Sequence, residues 1–92
     1  MKYTLVWTKT FVRTARRFLR KHPNLRDELQ LVLKRLEDDP EHPALRLHAL
    51  KGRLHGKHAV SLTYSHRMIL ILALHKNEIV LSDIGSHDEV YR

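Results

Sequence analysis

Residues 67–85 read RMILILALHKNEIVLSDIG, and the fold turns on how they are read. Met68 to Leu74 is an unbroken apolar run and Glu78 to Ile84 alternates. Lys76-Asn77 between them has the chemistry of a two-residue hairpin turn, because Asn tolerates a positive φ. Just upstream, HAVSLTY (58–64) alternates as well, and Ser65-His66 reads as the turn that delivers the chain to Arg67. Three consecutive strands on tight turns make an antiparallel meander.

Turn length sets register. With Lys76-Asn77 as the loop, His75 faces Glu78 and Arg67 comes opposite Ser86; with Ser65-His66 as the other loop, Tyr64 faces Arg67. Arg67 and His87, distant in sequence, are therefore expected to be neighbours at one end of the sheet. The middle strand is apolar on both sides, with Met68, Leu70, Leu72 and Leu74 on one face and Ile69, Ile71 and Ala73 on the other. Helices that cover one face leave the other open. Val60, Leu62, Ile69 and Ile71 are thus expected to line an exposed apolar groove that takes a partner, with Arg67 at its end.

Working outward, Tyr3 to Trp7 (YTLVW) reads as a short strand, and Thr8 or Thr10 caps the helix that follows. Phe11, Ala15, Phe18 and Leu19 form its apolar stripe, while Lys9, Arg13, Arg16, Arg17 and Arg20 occupy the opposite side. Pro23 separates it from a second helix with Asn24 as N-cap, Asp27 and Glu28 in the first turn, and Leu25, Leu29, Val32, Leu33 and Leu36 facing inward. The order strand, helix, helix, meander predicts one α+β domain over residues 1–92, with an α-hairpin on one face of a four-stranded sheet. Asp39 to Lys57 has no such periodicity. Pro40, Pro43, Gly52 and Gly56 break it, Leu45, Leu47, Leu50 and Leu54 are placed to pin it to the core, and its histidines and cations suit one wall of a site.

Composition narrows the partners. The chain has 92 residues, with 17 Lys plus Arg against 10 Asp plus Glu, for a net charge of +7. Such an excess favours polyanions, nucleic acid above all, or an acidic protein. Absence of cysteine excludes disulfides and thiolate zinc sites and fits a reducing compartment. The apolar run is far short of the ~20 residues of a membrane helix, and the N-terminal MKYTLVWTKTF is too interrupted for a signal peptide. A soluble cytoplasmic protein with no membrane partner is expected. His55 and His58 are spaced like a metal pair, but no third ligand falls into place, so neither a metal nor a cofactor is called for.

The strand-helix-helix-meander order, the loop LHALKGRLHG (47–56), HRMILIL (66–72) and the ending IGSHDEVY (84–91) resemble the RelE/ParE superfamily of bacterial toxins, and within it the YafQ- and YoeB-type branch. The resemblance spans nearly the whole chain, and the terminal His followed by an aromatic is its most diagnostic part. It implies a RelE-like fold and a ribosome-dependent endoribonuclease, an mRNA interferase that cuts mRNA in the ribosomal A site and so blocks translation. It also implies a cognate antitoxin, laid against the apolar groove.

The chemistry implied suits the residues. Metal-independent RNA cleavage by the ribose 2′-OH needs a base, an acid for the leaving oxygen, and cations for the phosphorane. By the resemblance His87 is the terminal catalytic histidine and general acid, Tyr91 the aromatic that positions the substrate, and Arg67 the phosphate-stabilising arginine. His48 is the loop histidine and partner base, with His66 as its alternative, and Lys51 and Arg53 contact the RNA backbone. Away from the family, Arg67 would instead pair with Asp83 or Asp88. Two departures stand out. No glutamate lies between Glu41 and Glu78, where YoeB-like members use one, and no Asp-Trp pair occurs near Ser65 and His66, where YafQ-like members have one. A ParE-like gyrase inhibitor, or an inactive relative that only binds antitoxin, are the alternatives of the same fold.

Overall fold

Thr8 is the joint between the first two elements of the computed structural model, which describes residues 2–91. It ends β1 (Thr4–Trp7) and caps α1 (Lys9–Lys21). Its hydroxyl accepts from the Phe11 amide at 3.1 Å and donates to the Leu81 carbonyl at 2.7 Å, fixing the helix to the sheet. Of the two threonines expected to cap, Thr8 therefore does so. Pro23 ends the helix as expected, but residues Pro23–Leu25 form a 3-10 turn and α2 (Arg26–Asp38) has no side-chain cap. Asn24 lies inside that turn. Asp27 and Glu28 occupy the first turn of α2, where the helix dipole favours acids.

The remaining elements are β2 (His48–Ala49), β3 (His58–Ser61), β4 (His66–Ala73), β5 (Glu78–Ser86) and a terminal helix, α3 (His87–Val90). The class is α+β as expected, with two additions. The sheet has five strands in the order β1-β5-β4-β3-β2 rather than four, because the short β2 pairs with β3. The chain also ends on α3, which the alternation of strand residues does not announce. β1 lies parallel to β5 at one edge, and α1 and α2 carry the chain from it across the sheet toward β2 at the opposite edge.

Both hairpin turns are longer than the sequence suggests, and this moves the register. Ala73 pairs with Glu78, so the loop spans 74–77, with Asn77 at the expected positive φ of 54°. A bulge then leaves Ser82 unpaired, since Leu70 faces Leu81 while Ile69 faces Asp83. The two departures partly cancel, and Arg67 faces Gly85 rather than Ser86. At the other turn Arg67 faces Ser61, not Tyr64, because residues 62–66 lie between the two partners. That offset is odd, and an odd slip turns a strand over.

The slip decides where the apolar residues go. Val60 pairs with Met68 and joins Leu62, Leu70, Leu81 and Ile84 beneath α1 and α2, against Phe11, Phe18, Leu29, Val32 and Leu36. Full burial of each large member contributes about 1.5–3 kcal/mol relative to exposure. Val60 is 0% exposed and Leu62 4%. The expected groove of Val60, Leu62, Ile69 and Ile71 is thus not formed: the first two belong to the main core. On the other face Ile69, Ala59 and Val90 make a second cluster, joined by Leu50 and Tyr91, while Ile71 stays exposed. α3 and the folded-back loop provide that cover. Leu45 is fully buried and Leu47 packs on the main core, so the segment 39–57 is pinned as expected.

α3 sits over Gly85, and the approach leaves no room for a side chain. A Cβ there would lie 2.8 Å from Glu89 Oε1 and 3.3 Å from its Cβ. Glu89 Oε1 also accepts from the Ser86 amide at the start of α3. Gly85→Ala is therefore expected to break this cap, at a cost of about 1 kcal/mol, lowering Tm by roughly 4–8 °C. Thermal unfolding followed by circular dichroism checks this; an unchanged Tm would mean that α3 does not depend on the close approach.

Candidate active site

SHDE, residues 86–89, is a capping box. The Ser86 hydroxyl accepts from the Glu89 amide at 3.2 Å, and the Glu89 carboxylate accepts from the Ser86 amide at 2.8 Å. These bonds stop β5 and start α3 within one residue. They also hold the Glu89 carboxyl below its ordinary range, with the Ser86 amide as the main cause and Lys21 and Arg17 assisting. His87 is the first residue of α3 and Tyr91 follows one turn later, so both rings fall on one side of the helix. The rings meet edge to face with centroids 4.3 Å apart at 73°. The i, i+4 spacing of the terminal histidine and tyrosine thus has a structural cause.

The turn between β3 and β4 supplies the rest. Arg67 uses one amino group, Nη1, to donate to the carbonyls of Thr63, Tyr64 and His66 at 2.9, 3.0 and 3.1 Å. Its Nε and Nη2 make no hydrogen bond within the described residues, and it pairs with neither Asp83 nor Asp88. The guanidinium is therefore anchored at one corner and open along its other edge, the edge that grips an anion. The same turn accepts from His87: its amide donates to the Ser65 carbonyl at 3.2 Å. Arg67 and His87 are brought together, as expected from the register. With Tyr64, Ser65, Ser86 and Asp88 they line an open cleft of about 450 Å³.

The alternation of 58–64 makes Tyr64 a strand residue in the sequence. It lies instead at the tip of the turn, 97% exposed, and lines both this cleft and the adjoining one on the α2 side. An aromatic with no burial to gain in a turn is the signal that could have singled it out. The Ser-x-x-Glu spacing of the capping box is likewise a signal, but the strand alternation that runs into it hides it.

His48 stands apart. It lines a different cleft, with Glu41, His42, Arg46 and His58, and its Nδ1 lies 2.9 Å from the Arg46 carbonyl. Its pairing through Ala59 to Ile69 puts it on the same face as Arg67. The backbone offset is two strands across and two residues along, roughly 12 Å. Lys51 and Arg53 are exposed on the β2–β3 connection and border neither cleft. Among the described residues no three potential metal ligands cluster.

His66 faces the other way. Adjacent strand residues alternate, so its ring lies under α1, edge-on to Phe18 at 5.1 Å and to His22 at 4.7 Å, with Nδ1 2.8 Å from Thr63 Oγ1. Burial, then His22, and more weakly Arg67, push its pKa below 6.5, with Glu89 opposing. His66 is thus a packed, neutral imidazole on the side away from Arg67, which removes it as the alternative to His48. Between its folded pKa and the unfolded value the unfolded chain binds the extra proton, so the stabilisation is complete above pH 6.5 and is lost as the pH falls. Urea midpoints at near-neutral and mildly acidic pH are expected to drop on acidification for the wild type and less for His66→Gln; equal drops would place the sensitivity elsewhere.

A short meander with an α-hairpin on one face, and a His-Tyr pair on a terminal helix beside a strand arginine, define a RelE-like toxin fold. The family model for the bacterial YafQ toxin of type II toxin–antitoxin systems matches residues 3–92, so the chain belongs to the YafQ toxin family. YafQ from Escherichia coli strain BL21(DE3) superposes with a TM-score of 0.81 at 12% identity, over 98% of this chain and 99% of that one. A metal-bound toxin from Helicobacter pylori gives 0.80 at 23% identity, over 97% and 99%. A YoeB/ParE toxin from Agrobacterium tumefaciens gives 0.76 at 17%, over 91% and 98%. At these identities the likeness is one of fold. No curated protein matches the chain in sequence. No helix among the described residues is long and apolar enough to cross a membrane.

Proposed function

We propose that this YafQ-family toxin is a ribosome-dependent endoribonuclease that cleaves mRNA through the cleft between α3 and the β3–β4 turn. The observation that carries the reading is the packing of His87 on Tyr91 beside an anchored Arg67 whose outer edge is open. In this mechanism the 2′-oxygen attacks phosphorus, the P–O5′ bond breaks, and a 2′,3′-cyclic phosphate and a free 5′-OH result. His87 donates the proton that the leaving O5′ needs, since imidazole titrates near neutrality. Arg67 neutralises the charge that builds on the non-bridging oxygens. Tyr91 holds the imidazole and offers its ring to a base.

The proton on the 2′-OH goes to His48. Its Nδ1 is engaged at the Arg46 carbonyl, which leaves Nε2 as the basic atom. His48 shares the face of Arg67, with the two backbones roughly 12 Å apart, so its Nε2 meets the 2′-OH only when RNA is seated between the two clefts. Lys51 and Arg53, exposed on the neighbouring connection, suit contacts with flanking phosphates.

A cognate antitoxin is the second partner proposed. A solved E. coli DinJ–YafQ toxin–antitoxin complex has this fold, and Staphylococcus aureus YoeB is likewise solved in complex with YefM. Val60 and Leu62 offer such a partner no surface, being buried, and the exposed Ile71 is what remains of that site.

Induction without antitoxin tests the enzyme. The wild type is expected to stop bulk translation, and His87→Ala to lose about 10²- to 10⁴-fold of cleavage rate and with it the growth arrest. Equal arrest by both, with translation continuing, would replace this reading with gyrase inhibition by binding.

A further inference from the structure

Trp7 is the chain's one tryptophan, and it is 51% exposed. Nothing in the proposed cleavage site uses it. It is held rather than loose: its ring stands edge-on to buried Phe11, with centroids 5.3 Å apart at 71°. Beside it runs an open groove of about 510 Å³, lined by Trp7, Lys9, Val12, Arg13, Arg16 and Arg20. The four cations recur at intervals of four, three and four residues, about one per helical turn over roughly 16 Å. All four are exposed, and among the described residues none is in an ion pair or a side-chain hydrogen bond. α1 contains no acidic residue to neutralise them. A lone solvated charge needs no explanation, but an uncompensated stripe beside a braced, exposed indole is a different feature.

The direction of the stripe matters. Thr8, at its start, is bonded to Leu81 in mid-β5, and Lys21, just past its end, lies 3.8 Å from Glu89 of α3. α1 therefore runs alongside β5 toward the helix that carries His87. From this we infer that the α1 face is an RNA-docking track: an RNA segment lays its phosphates along Lys9, Arg13, Arg16 and Arg20 and stacks one unpaired base on Trp7. A positive groove with an aromatic platform is the chemistry that holds single-stranded nucleic acid without reading its sequence. An acidic protein segment matches the charges but makes no use of the indole face. The track is distinct from the cleavage cleft and does not depend on cleavage.

The test uses the full chain with His87→Ala, so that no RNA is cut, and an oligouridylate of about 12 nucleotides. Saturable quenching of Trp7 fluorescence is expected. By anisotropy of labelled oligomer, Trp7→Leu is expected to weaken binding about tenfold with an unchanged salt dependence. The combined variant Arg13→Ala, Arg16→Ala, Arg20→Ala is expected to weaken it further and to flatten the slope of log K against log salt by about 2. A Lys34→Ala control on α2 should bind as before. Absence of quenching, insensitivity to the three arginines, or quenching by polyglutamate in place of RNA would overturn the proposal. Binding with these signatures by a protein whose wild type cuts no RNA would leave the track standing and remove the nuclease reading instead.

Discussion

The reciprocal bonds between Ser86 and Glu89 are the constraint on which the rest of the site depends. A strand and a helix have incompatible backbone conformations, and a chain usually needs several residues to pass between them. Here the capping box makes the change at one residue, with Ser86 both the last of β5 and the N-cap of α3. The helix is too short to persist on its own. It survives because Val90 buries itself against Ile69 and Ala59, and because Gly85 lets it come within contact of the strand. The cap is what sets His87 at the start of α3, beside the β3–β4 turn.

The β3–β4 turn is the complementary half. Thr63, Ser65 and His66 contribute carbonyls or a hydroxyl that hold Arg67, the amide of His87 and the His66 ring. One turn therefore fixes the cation and the imidazole relative to each other, across a gap of twenty residues in sequence. On the proposed function, that is what a metal-independent ribonuclease requires: a phosphate grip and a proton donor whose separation is set before substrate arrives. The same turn leaves Tyr64 in solvent at the mouth of the cleft, and the exposed side of α1 adds a charged track leading toward it.

Much of this architecture is legible in the amino-acid sequence. The unbroken apolar run 68–74 marks the central strand, but the face expected to stay open is covered at Ile69 by Val90 of α3 and Leu50, and only Ile71 remains exposed there. The proximity of Arg67 and His87 holds although both turns are longer than expected, because a bulge at Ser82 compensates one of them. The groove does not hold, since nothing local distinguishes a turn at Ser65-His66 from one centred on Tyr64, with residues 62–66 between paired Ser61 and Arg67. That difference reverses the faces of Val60 and Leu62. α3 is hidden for another reason: the alternation of β5 runs straight into it, and masks the Ser-x-x-Glu signal that starts the helix. His48 can be placed on a loop but not in depth or direction, because the two-residue β2 that carries it has no periodicity of its own.

Transesterification, and not hydrolysis or mere binding, is the reaction proposed for the α3 cleft. The chemistry of the cut ends tests it most directly. Purified protein is incubated with programmed ribosomes and the mRNA fragments are recovered. A 2′,3′-cyclic phosphate on the upstream fragment and a free 5′-OH on the downstream one are expected. Fragments ending in 3′-OH and 5′-phosphate, or mRNA left intact, would contradict the proposal.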